Sequence, residues 1–298
     1  MVSKKIGFIG FGEAAYLISS GLITEKSQEI IAYDVNQDHP SLGGKLRKRA
    51  EELGVSLMPT LQELIQNSQI IISATSAKYA LSVAKDALPY LTNDQLFVDI
   101  NAASPMVKEE ISSIMVDKAK FVDVAVVESI PKYKHKVPLL ISGEGAKDFE
   151  SYANEVEMDI TFIDDKPGSA SAIKMIRSVF MKGFTMLMIE TLIASNKYGI
   201  NEWIMESIEN SLLDKPFAET VNLLITRTAE HSERRVSEME EVIKTLKALN
   251  VNSLLSQATK DKLSQFVEMN LKDEFLDNSP RDFIDVIEKI DTLDKSVI

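Results

Sequence analysis

Residues 10–15 combine glycines and small side chains in a pattern that favours binding of a phosphate-bearing ligand. The segment reads Gly-Phe-Gly-Glu-Ala-Ala and fits G-x-G-x-x-G/A. It closes a predicted strand and opens a predicted helix, so its first glycine permits a tight turn and its second lets a pyrophosphate approach the backbone. The N-terminus of the helix then faces the anion. The residues predicted to bind a dinucleotide here are Gly10, Phe11, Gly12, Glu13 and Ala14.

A carboxylate at the end of the second predicted strand indicates which dinucleotide binds. Asp34 lies 24 positions after Gly10. A carboxylate there can accept hydrogen bonds from both ribose hydroxyls of adenosine, and it would repel a 2′-phosphate. NAD is therefore favoured over NADP. The cationic side chains of Lys45, Arg47 and Lys48 either form a solvated helix face or meet a phosphate, so NADP stays possible.

Two later loops are expected at the same edge of the sheet, because open α/β sheets bind ligands outside the carboxyl ends of their strands. Ala74 and Thr75 follow one predicted strand and are expected to touch the cofactor ribose, while Asn101 follows the next and is expected on the nicotinamide side. Ser104 precedes a proline, so it either contacts the substrate or only caps a helix that Pro105 begins.

A stripe of polar side chains follows one face of a predicted helix that is otherwise apolar. Its members are Ser171, Lys174, Ser178, Lys182 and Thr185. Such a stripe lines a cavity or an interface; the alternative is a surface stripe whose two lysines extend to solvent. A lysine in a dry cleft has a lowered pKa and can exchange a proton near neutral pH. Lys174 is therefore the candidate general acid/base for an alcohol that loses hydride.

Alternating strands and helices must position these residues. The predicted strands are Lys5–Gly10, Glu29–Asp34, Gln69–Ala74, Gln95–Ile100, Phe121–Val127, Val137–Ser142 and Asp159–Ile163. Helical patterns separate them at Glu13–Leu22, Gly44–Leu53, Leu61–Asn67, Ala77–Leu88 and Pro105–Lys118. The first four strands are almost continuously apolar, as strands buried on both faces of a parallel sheet are. We predict an α/β fold, with a Rossmann-type doubly wound parallel sheet over residues 1–165.

The chain is predicted to become all-helical after a polar turn that starts at Asp164. The expected helices are Ser171–Lys197, Glu202–Leu213, Phe217–Leu249, Ser253–Asn270 and Pro280–Asp291. Residues 166–298 are therefore predicted to form an all-α domain for substrate binding and dimerisation.

Composition excludes several other classes of function. The net charge of −12 argues against a nucleic-acid partner and against an anionic membrane. No cysteine is present and the three histidines lie far apart in the sequence, so we expect no metal site. We also expect the His39 and His135 side chains to face solvent. We expect a cytoplasmic protein, since neither a signal peptide nor an uncharged membrane span is evident.

Three segments carry a resemblance to a known family. GFIGFGEAA near the N-terminus, NAASP after the fourth predicted strand and KPGSASAIKMIRS after the polar turn resemble the β-hydroxyacid dehydrogenase superfamily, which includes 6-phosphogluconate dehydrogenase. The similarity is greatest to a 6-phosphogluconate-dehydrogenase-like branch with a C-terminal domain of unknown function. It implies an NAD(P)-dependent oxidoreductase that acts on a small hydroxy-acid-like or oxo substrate between two domains. It also implies a homodimer or homotetramer formed through the helical domain.

The resemblance assigns roles to residues of the predicted long helix. The family motif G-x-G-x-x-x-K matches residues 168–174, with alanine for the second glycine, and implies that Lys174 is the general acid/base. Ser178 stands where the family has a catalytic asparagine, and Ser171 is expected to contact the substrate.

One departure puts the usual substrates in doubt. The family's Ser-Gly-Gly loop, which binds a substrate carboxylate, is absent, and Glu128 in its place would repel an anion. Reduction of a carbon–nitrogen double bond, as in imine reductases, is therefore an alternative, and a nucleotide-binding protein without turnover is another. His231 and Arg235 share a predicted helix face and either contact the substrate or form a solvated face.

Overall fold

The computed structural model describes residues 5–293; residues 1–4 and 294–298 of the two predicted domains lie outside the described residues. The chain divides into two compact units, Met1–Val179 and Phe180–Ile298. The division falls inside the long helix and not in the polar turn before it, so the first unit holds the whole sheet together with the first part of that helix.

The first unit is built on one eight-stranded sheet with the spatial order β3-β2-β1-β4-β5-β6-β7-β8. Its strands are β1 Ile6–Ile9, β2 Ile30–Tyr33, β3 Ser56–Leu57, β4 Ile70–Ser73, β5 Leu96–Asp99, β6 Lys120–Val126, β7 Leu139–Ser142 and β8 Ile160–Phe162. The predicted α/β class is confirmed, and a strand matches each of the seven predicted ones. β1, β4 and β5 are buried along their whole length, as their continuous apolar runs predicted.

The strand order reverses between β1 and β4, and both strands pair in parallel register. Their carboxyl ends therefore open a crevice at the topological switch point, where doubly wound sheets bind ligands. Gly10 follows β1 and Ala74 follows β4, and the Ala74 N–H donates to the Ile9 carbonyl at 2.8 Å.

Helices cover both faces of this sheet and enclose two apolar clusters, one containing Phe8 and Val98 and the other Phe97 and Phe121. They are α1 Glu13–Lys26, α2 Gly43–Leu53, α3 Leu61–Gln66, α4 Ala80–Ala87, α5 Pro105–Met115, α6 Ile130–Tyr133 and α7 Ala146–Glu155. The sequence reading missed α6, α7 and the two-residue β3.

The sheet is mostly parallel, as predicted, but β7 pairs antiparallel with β6. The connection between the two strands holds only α6 and one 3-10 turn. That is too little helix for the crossover that a parallel pair requires. The reversal sets Ser142, the last residue of β7, opposite Asp123 on β6.

The helices after the sheet are α8 Ser169–Tyr198, α9 Asn201–Leu213, α10 Phe217–Glu230, α11 Ser232–Ala248, α12 Leu254–Glu268 and α13 Phe283–Leu293. The helix predicted over Phe217–Leu249 is wrong in one respect, since it breaks at His231, whose φ of −128° and ψ of 28° leave the helical region. α8 ends at Gly199, which has the expected positive φ of 86°.

α8 is the one helix within residues 5–293 that is long and apolar enough to cross a membrane, judged by length and composition. In the second unit its Glu190 accepts hydrogen bonds from the first turn of α12. The donors are the Leu255 N–H at 3.0 Å, the Ser256 N–H at 3.0 Å and the Ser256 hydroxyl at 2.6 Å. α8 is thereby tied to the folded helical unit by a polar contact.

Candidate functional site

The two glycines of the loop after β1 have different structural requirements. Gly10 has a φ of +87°, and a Cβ there would lie 2.7 Å from the Ala74 carbonyl oxygen, so only glycine fits. A Cβ at Gly12 would meet nothing within 4 Å. Gly12 is the N-cap of α1, and no side chain caps the first N–H groups of this helix. The loop therefore fits a pyrophosphate.

Asp34 is held in place by two backbone donors. Its Oδ2 accepts from the Phe11 N–H at 2.9 Å and its Oδ1 from the Asn36 N–H at 2.8 Å. The Phe11 side chain is fully buried, so Phe11 acts here through its backbone. The carboxylate keeps free lone pairs, is half-exposed, and can still accept ribose hydroxyls.

A cavity of about 550 Å³ opens at this loop. We call it the nucleotide cavity, and it brings together five of the predicted cofactor residues: Gly10, Gly12, Asp34, Ala74 and Thr75. Asp86 and Tyr79 also line it, whereas no lysine or arginine of the described chain does. The Arg47 guanidinium instead donates to the Gln37 carbonyl.

A second cavity, of about 470 Å³, contains the candidate acid/base. We call it the lysine cavity; its lining residues are Glu13, Ala14, Leu17, Ile100, Val126, Glu128, Ile130, Pro131 and Lys174. Gly12 lines the nucleotide cavity and its neighbour Glu13 lines the lysine cavity, so the start of α1 borders both. Glu13 and Ala14, which we predicted at the cofactor, thus lie beside Lys174.

Glu128 reaches the lysine cavity from the segment after β6. Its carboxylate Oε1 lies 3.9 Å from the Arg177 guanidinium, and both side chains are about half-exposed. The cavity thus has mostly apolar walls, two carboxylates and one ammonium group.

The sequence did not predict a buried ionic cluster between β5, α5 and β6. The Lys108 ammonium, on α5, lies 3.0 Å from Asp99 Oδ2 and 3.1 Å from Asp123 Oδ1, and all three side chains are fully buried. It also donates to the Asp99 carbonyl at 2.7 Å. One signal was present in the sequence: Lys108 interrupts an apolar stripe with Ile111 and Met115, on a helix flanked by strands that each contain an aspartate.

Asp123 connects this cluster to the start of α8. It accepts from the Ser171 N–H at 2.9 Å and the Ser171 hydroxyl at 2.6 Å. The Ser142 hydroxyl also donates to Asp123, at 3.3 Å, and accepts from the Ala170 N–H at 3.0 Å. Asp123 thus satisfies part of the unpaired N-terminus of the helix that contains Lys174.

Asp99 connects the same cluster to the loops after β4 and β5. Its Oδ1 accepts from the Asn101 N–H at 3.2 Å and from the Asn101 side-chain amide. That amide also donates to the Ser73 hydroxyl at 2.9 Å, and its oxygen accepts from the Thr75 N–H at 2.7 Å. Asn101 is 5% exposed. Its side chain therefore joins two strand ends, and its contact with nicotinamide stays a prediction.

Three predicted serines make contacts within the protein. The Ser104 hydroxyl accepts a hydrogen bond from the Val107 N–H at 3.4 Å. The structure therefore shows Ser104 as a helix cap, which is one of its two predicted roles. Ser171 donates to Asp123, as described. The Ser178 hydroxyl donates to the Lys174 carbonyl at 2.9 Å. The roles predicted for these serines towards substrate and catalysis stay predictions.

The two predicted residues of the helical unit lie where α10 and α11 meet. His231 is exposed, and Arg235, one turn later on α11, is half-buried. They belong to the second compact unit. Their contact with a substrate stays a prediction.

The expectation for His135 was wrong, whereas His39 is exposed. His135 is 1% exposed and packs against Gly21 of α1, where a Cβ would lie 2.1 Å from its Nδ1. Burial lowers the pKa of His135 from its ordinary value, so the ring is neutral near pH 7. Within residues 5–293, no group of three or more histidine and carboxylate side chains could hold a metal ion.

Comparisons with known proteins find a family model that matches part of each half of the chain. Residues 5–103 match the family described as NADP oxidoreductase, coenzyme F420-dependent. Residues 195–266 match a domain of unknown function, DUF1932. An uncharacterised 28.5 kDa protein of Methanothermus fervidus is 30% identical over 267 residues, which cover 89% of this chain and 99% of that protein.

Solved structures extend the likeness to the fold. A conserved protein of unknown function, itself described as structurally similar to 3-hydroxyacid dehydrogenases, is 28% identical with a TM-score of 0.61, over 90% of this chain and 98% of that one. An imine reductase from Myxococcus stipitatus, solved with NAD⁺, has a TM-score of 0.73 at 13% identity, over 96% of this chain and 98% of that one. The second likeness concerns the fold alone.

Proposed function

Because the chain belongs to the β-hydroxyacid dehydrogenase superfamily, in the branch with a C-terminal domain of unknown function, we propose that it is an NAD(P)-dependent oxidoreductase. It transfers hydride between nicotinamide and a small hydroxy-acid-like or oxo substrate, and Lys174 exchanges the proton. One observation carries the proposal: Lys174 shares its cavity with the first turn of the helix that begins at the glycine loop.

The described residues fit the chemistry that such a reaction requires. When bound, the nicotinamide coenzyme supplies or accepts the hydride. The Lys174 amine takes the hydroxyl proton of an alcohol during oxidation, or returns a proton to the oxygen during reduction. Leu17, Ile100 and Val126 form apolar walls beside it.

Replacement of Lys174 tests the assignment directly. Lys174→Ala should abolish turnover and leave coenzyme affinity within about threefold, because the glycine loop does not include it. Lys182→Ala is the matched control, since it removes an exposed lysine from the same helix. Turnover by Lys174→Ala at the wild-type rate would refute the role of Lys174.

We propose NAD as the preferred coenzyme, with NADP as the alternative. Two carboxylates, Asp34 and Asp86, line the nucleotide cavity, so a 2′-phosphate would meet negative charge there. Among the described residues no basic side chain lines this cavity to offset that charge. Lys45, Arg47 and Lys48 are exposed on α2, where Arg47 donates to the Gln37 carbonyl.

Reduction of a carbon–nitrogen double bond is the second candidate, and the charge of the lysine cavity favours it. Glu13 and Glu128 both line this cavity, and Lys174 is its single basic lining group within residues 5–293. A substrate carboxylate would therefore meet two negative charges, whereas a protonated imine would be attracted by them.

A panel of substrates separates these two candidates from a third, a nucleotide-binding protein without turnover. Small hydroxy acids and cyclic imines are offered with either coenzyme, and absorbance of the reduced nicotinamide is followed. Oxidation of hydroxy acids supports the first candidate, and consumption of reduced coenzyme with imines supports the second. Calorimetric coenzyme binding without turnover on the whole panel supports the third.

We also propose that a second copy of this chain covers the apolar surface of α8. Large apolar side chains are exposed on it within the second unit, among them Phe180, Phe184 and Ile193. A membrane is the less suitable occupant, because the buried Glu190 ties the C-terminal third of α8 to α12. A surface of this kind on a soluble protein marks an interface.

Light scattering after size-exclusion chromatography tests the assembly. A mass of twice the chain's 33.2 kDa, or four times for a tetramer, is expected. Phe184→Glu should lower the mass to that of one chain, whereas Lys182→Glu, an exposed position nearby, should not. A monomeric wild-type protein at micromolar concentration would refute the proposal.

A further inference from the structure

We propose that Lys108 is a positioning residue, which sets the orientation of Lys174 relative to the coenzyme loops through the buried Asp99 and Asp123 carboxylates. The inference deepens the proposed oxidoreductase function and rests on it. Lys108 lines neither cavity, and its side chain is fully buried. It acts through two aspartates, each of which holds a different part of the site.

The path from Lys108 to Lys174 runs through Asp123 and Ser171. The ammonium lies 3.1 Å from Asp123 Oδ1, and the same oxygen accepts from the Ser171 hydroxyl at 2.6 Å. Ser171 lies three residues before Lys174, so the two side chains share a face of α8 on successive turns. A rotation of Ser171 about the helix axis would therefore move the Lys174 amine within its cavity.

The path from Lys108 to the coenzyme loops runs in the other direction. The ammonium lies 3.0 Å from Asp99 Oδ2, while Asp99 Oδ1 accepts from the Asn101 N–H at 3.2 Å. The Asn101 amide oxygen in turn receives the Thr75 N–H at 2.7 Å. Thr75 lines the nucleotide cavity. One cation thus fixes the distance between the loop at the coenzyme and the helix of the candidate acid/base.

The energetics favour this role over simple packing of α5. An apolar residue of similar volume at position 108, with neutral partners, would hold α5 about as well, because ion pairs lose most of their Coulombic gain to desolvation. Ile111 and Met115 already bury the same face of α5. An ion pair differs from apolar contact in that it fixes direction and distance, which a site for proton transfer requires.

The test uses three variants and a control. Lys108→Met alone leaves two buried carboxylates unpaired and is expected to unfold, because an uncompensated buried charge is strongly destabilising. The triple variant Lys108→Met, Asp99→Asn, Asp123→Asn removes all three charges and keeps the side-chain volumes. Ser171→Ala removes one hydroxyl at the end of the path. Thr185→Ala is the control, because its hydroxyl bonds only within α8, to the Met181 carbonyl.

The readout is the reactivity of the Lys174 amine in the full-length protein, which needs no substrate. Trace acetylation with acetic anhydride over a range of pH, read by peptide mass spectrometry, gives the rate at Lys174 relative to Lys182, with and without NAD⁺. We expect the folded triple variant to change this ratio by about threefold or more, as a half-unit displacement of a titration would. Its pH profile should move as well, with a smaller change in Ser171→Ala and none in Thr185→Ala.

An unchanged ratio and pH profile in the folded triple variant would overturn the proposal. If circular dichroism shows that this variant does not fold, Ser171→Ala decides in the same way. An altered ratio in a protein that turns over no substrate would support the positioning role while contradicting the oxidoreductase function, so the two failures are distinguishable.

Discussion

Gly12 offers the sharpest test of coenzyme binding, because a methyl group there should affect the ligand and not the fold. A Cβ at this position meets no protein atom within 4 Å, and the φ of −70° is allowed for alanine. The free space in front of the Cβ is the space that a pyrophosphate would occupy beside the first N–H groups of α1.

The size of the effect follows from these contacts. Alanine is a poorer N-cap than glycine, which destabilises the fold by about 0.5–1 kcal/mol. Alanine also lowers the conformational entropy of the unfolded chain, which stabilises the fold by a similar amount. The free energy of unfolding should therefore change by less than about 1 kcal/mol. A displaced phosphate loses at least one charge-assisted hydrogen bond, worth about 1.5–3 kcal/mol, so coenzyme affinity should fall by about 10- to 150-fold.

Calorimetric titration with NAD⁺ and NADP⁺, together with urea unfolding, measures both quantities on the same sample. Gly44→Ala is the matched control, since a Cβ there also meets nothing within 4 Å and it lies on α2, away from the nucleotide cavity. Gly10→Ala should instead destabilise the fold, because it clashes with backbone at 2.7 Å. Wild-type affinity in Gly12→Ala would refute the location of the pyrophosphate.

Three further perturbations test other parts of the chain. Asp34→Ala should reduce the preference for NAD over NADP in calorimetry, and an unchanged preference would contradict the role of this carboxylate. Burial lowers the pKa of His135 below 6.5, so the unfolded chain binds the proton more tightly. Stability in urea should therefore fall as the pH drops below about 6.5 and stay level above it, and His135→Gln should lose this dependence. Burial acts to raise the pKa of Glu190, but hydrogen bonds from Ser256 and Leu255 lower it overall. Its contribution is present at neutral pH and lost as the pH falls through that pKa, so Glu190→Gln should cost about 1.5–3 kcal/mol near pH 7 and less near pH 3.

The sheet and the glycine loop were predictable because their signals are local. Continuous apolar runs such as Ile70–Ser73 have one favourable environment, a strand buried on both faces. The turn at Gly10 needs a residue that tolerates positive φ, and the spacing to Asp34 follows from the length of one helix and one strand. Each of these inferences depends on residues close together in the chain.

The missed features depend on contacts between distant parts of the sequence. Asp99, Lys108 and Asp123 form one cluster only after three elements have packed, and a lysine in an apolar stripe gives no indication of its partner. The break at His231 has no proline or glycine to mark it. The α7 signal was present in Ala146, Phe149 and Ala153, whose spacing is helical, but the many charged residues between them obscured it.

The direction of β7 has a consequence for how the helical half is attached. Its register sets Leu139 opposite Val126 and Ser142 opposite Asp123. If β7 were parallel to β6, the Ser142 hydroxyl would lie at the C-terminal end of β6. The Ala170 N–H, which now donates to that hydroxyl, would then lose its acceptor. The direction of this one strand thus determines which hydroxyl meets the start of α8. A related protein with a parallel strand at this position could keep the glycine loop intact. It would need a different hydrogen-bond acceptor at the start of the helix that contains its lysine.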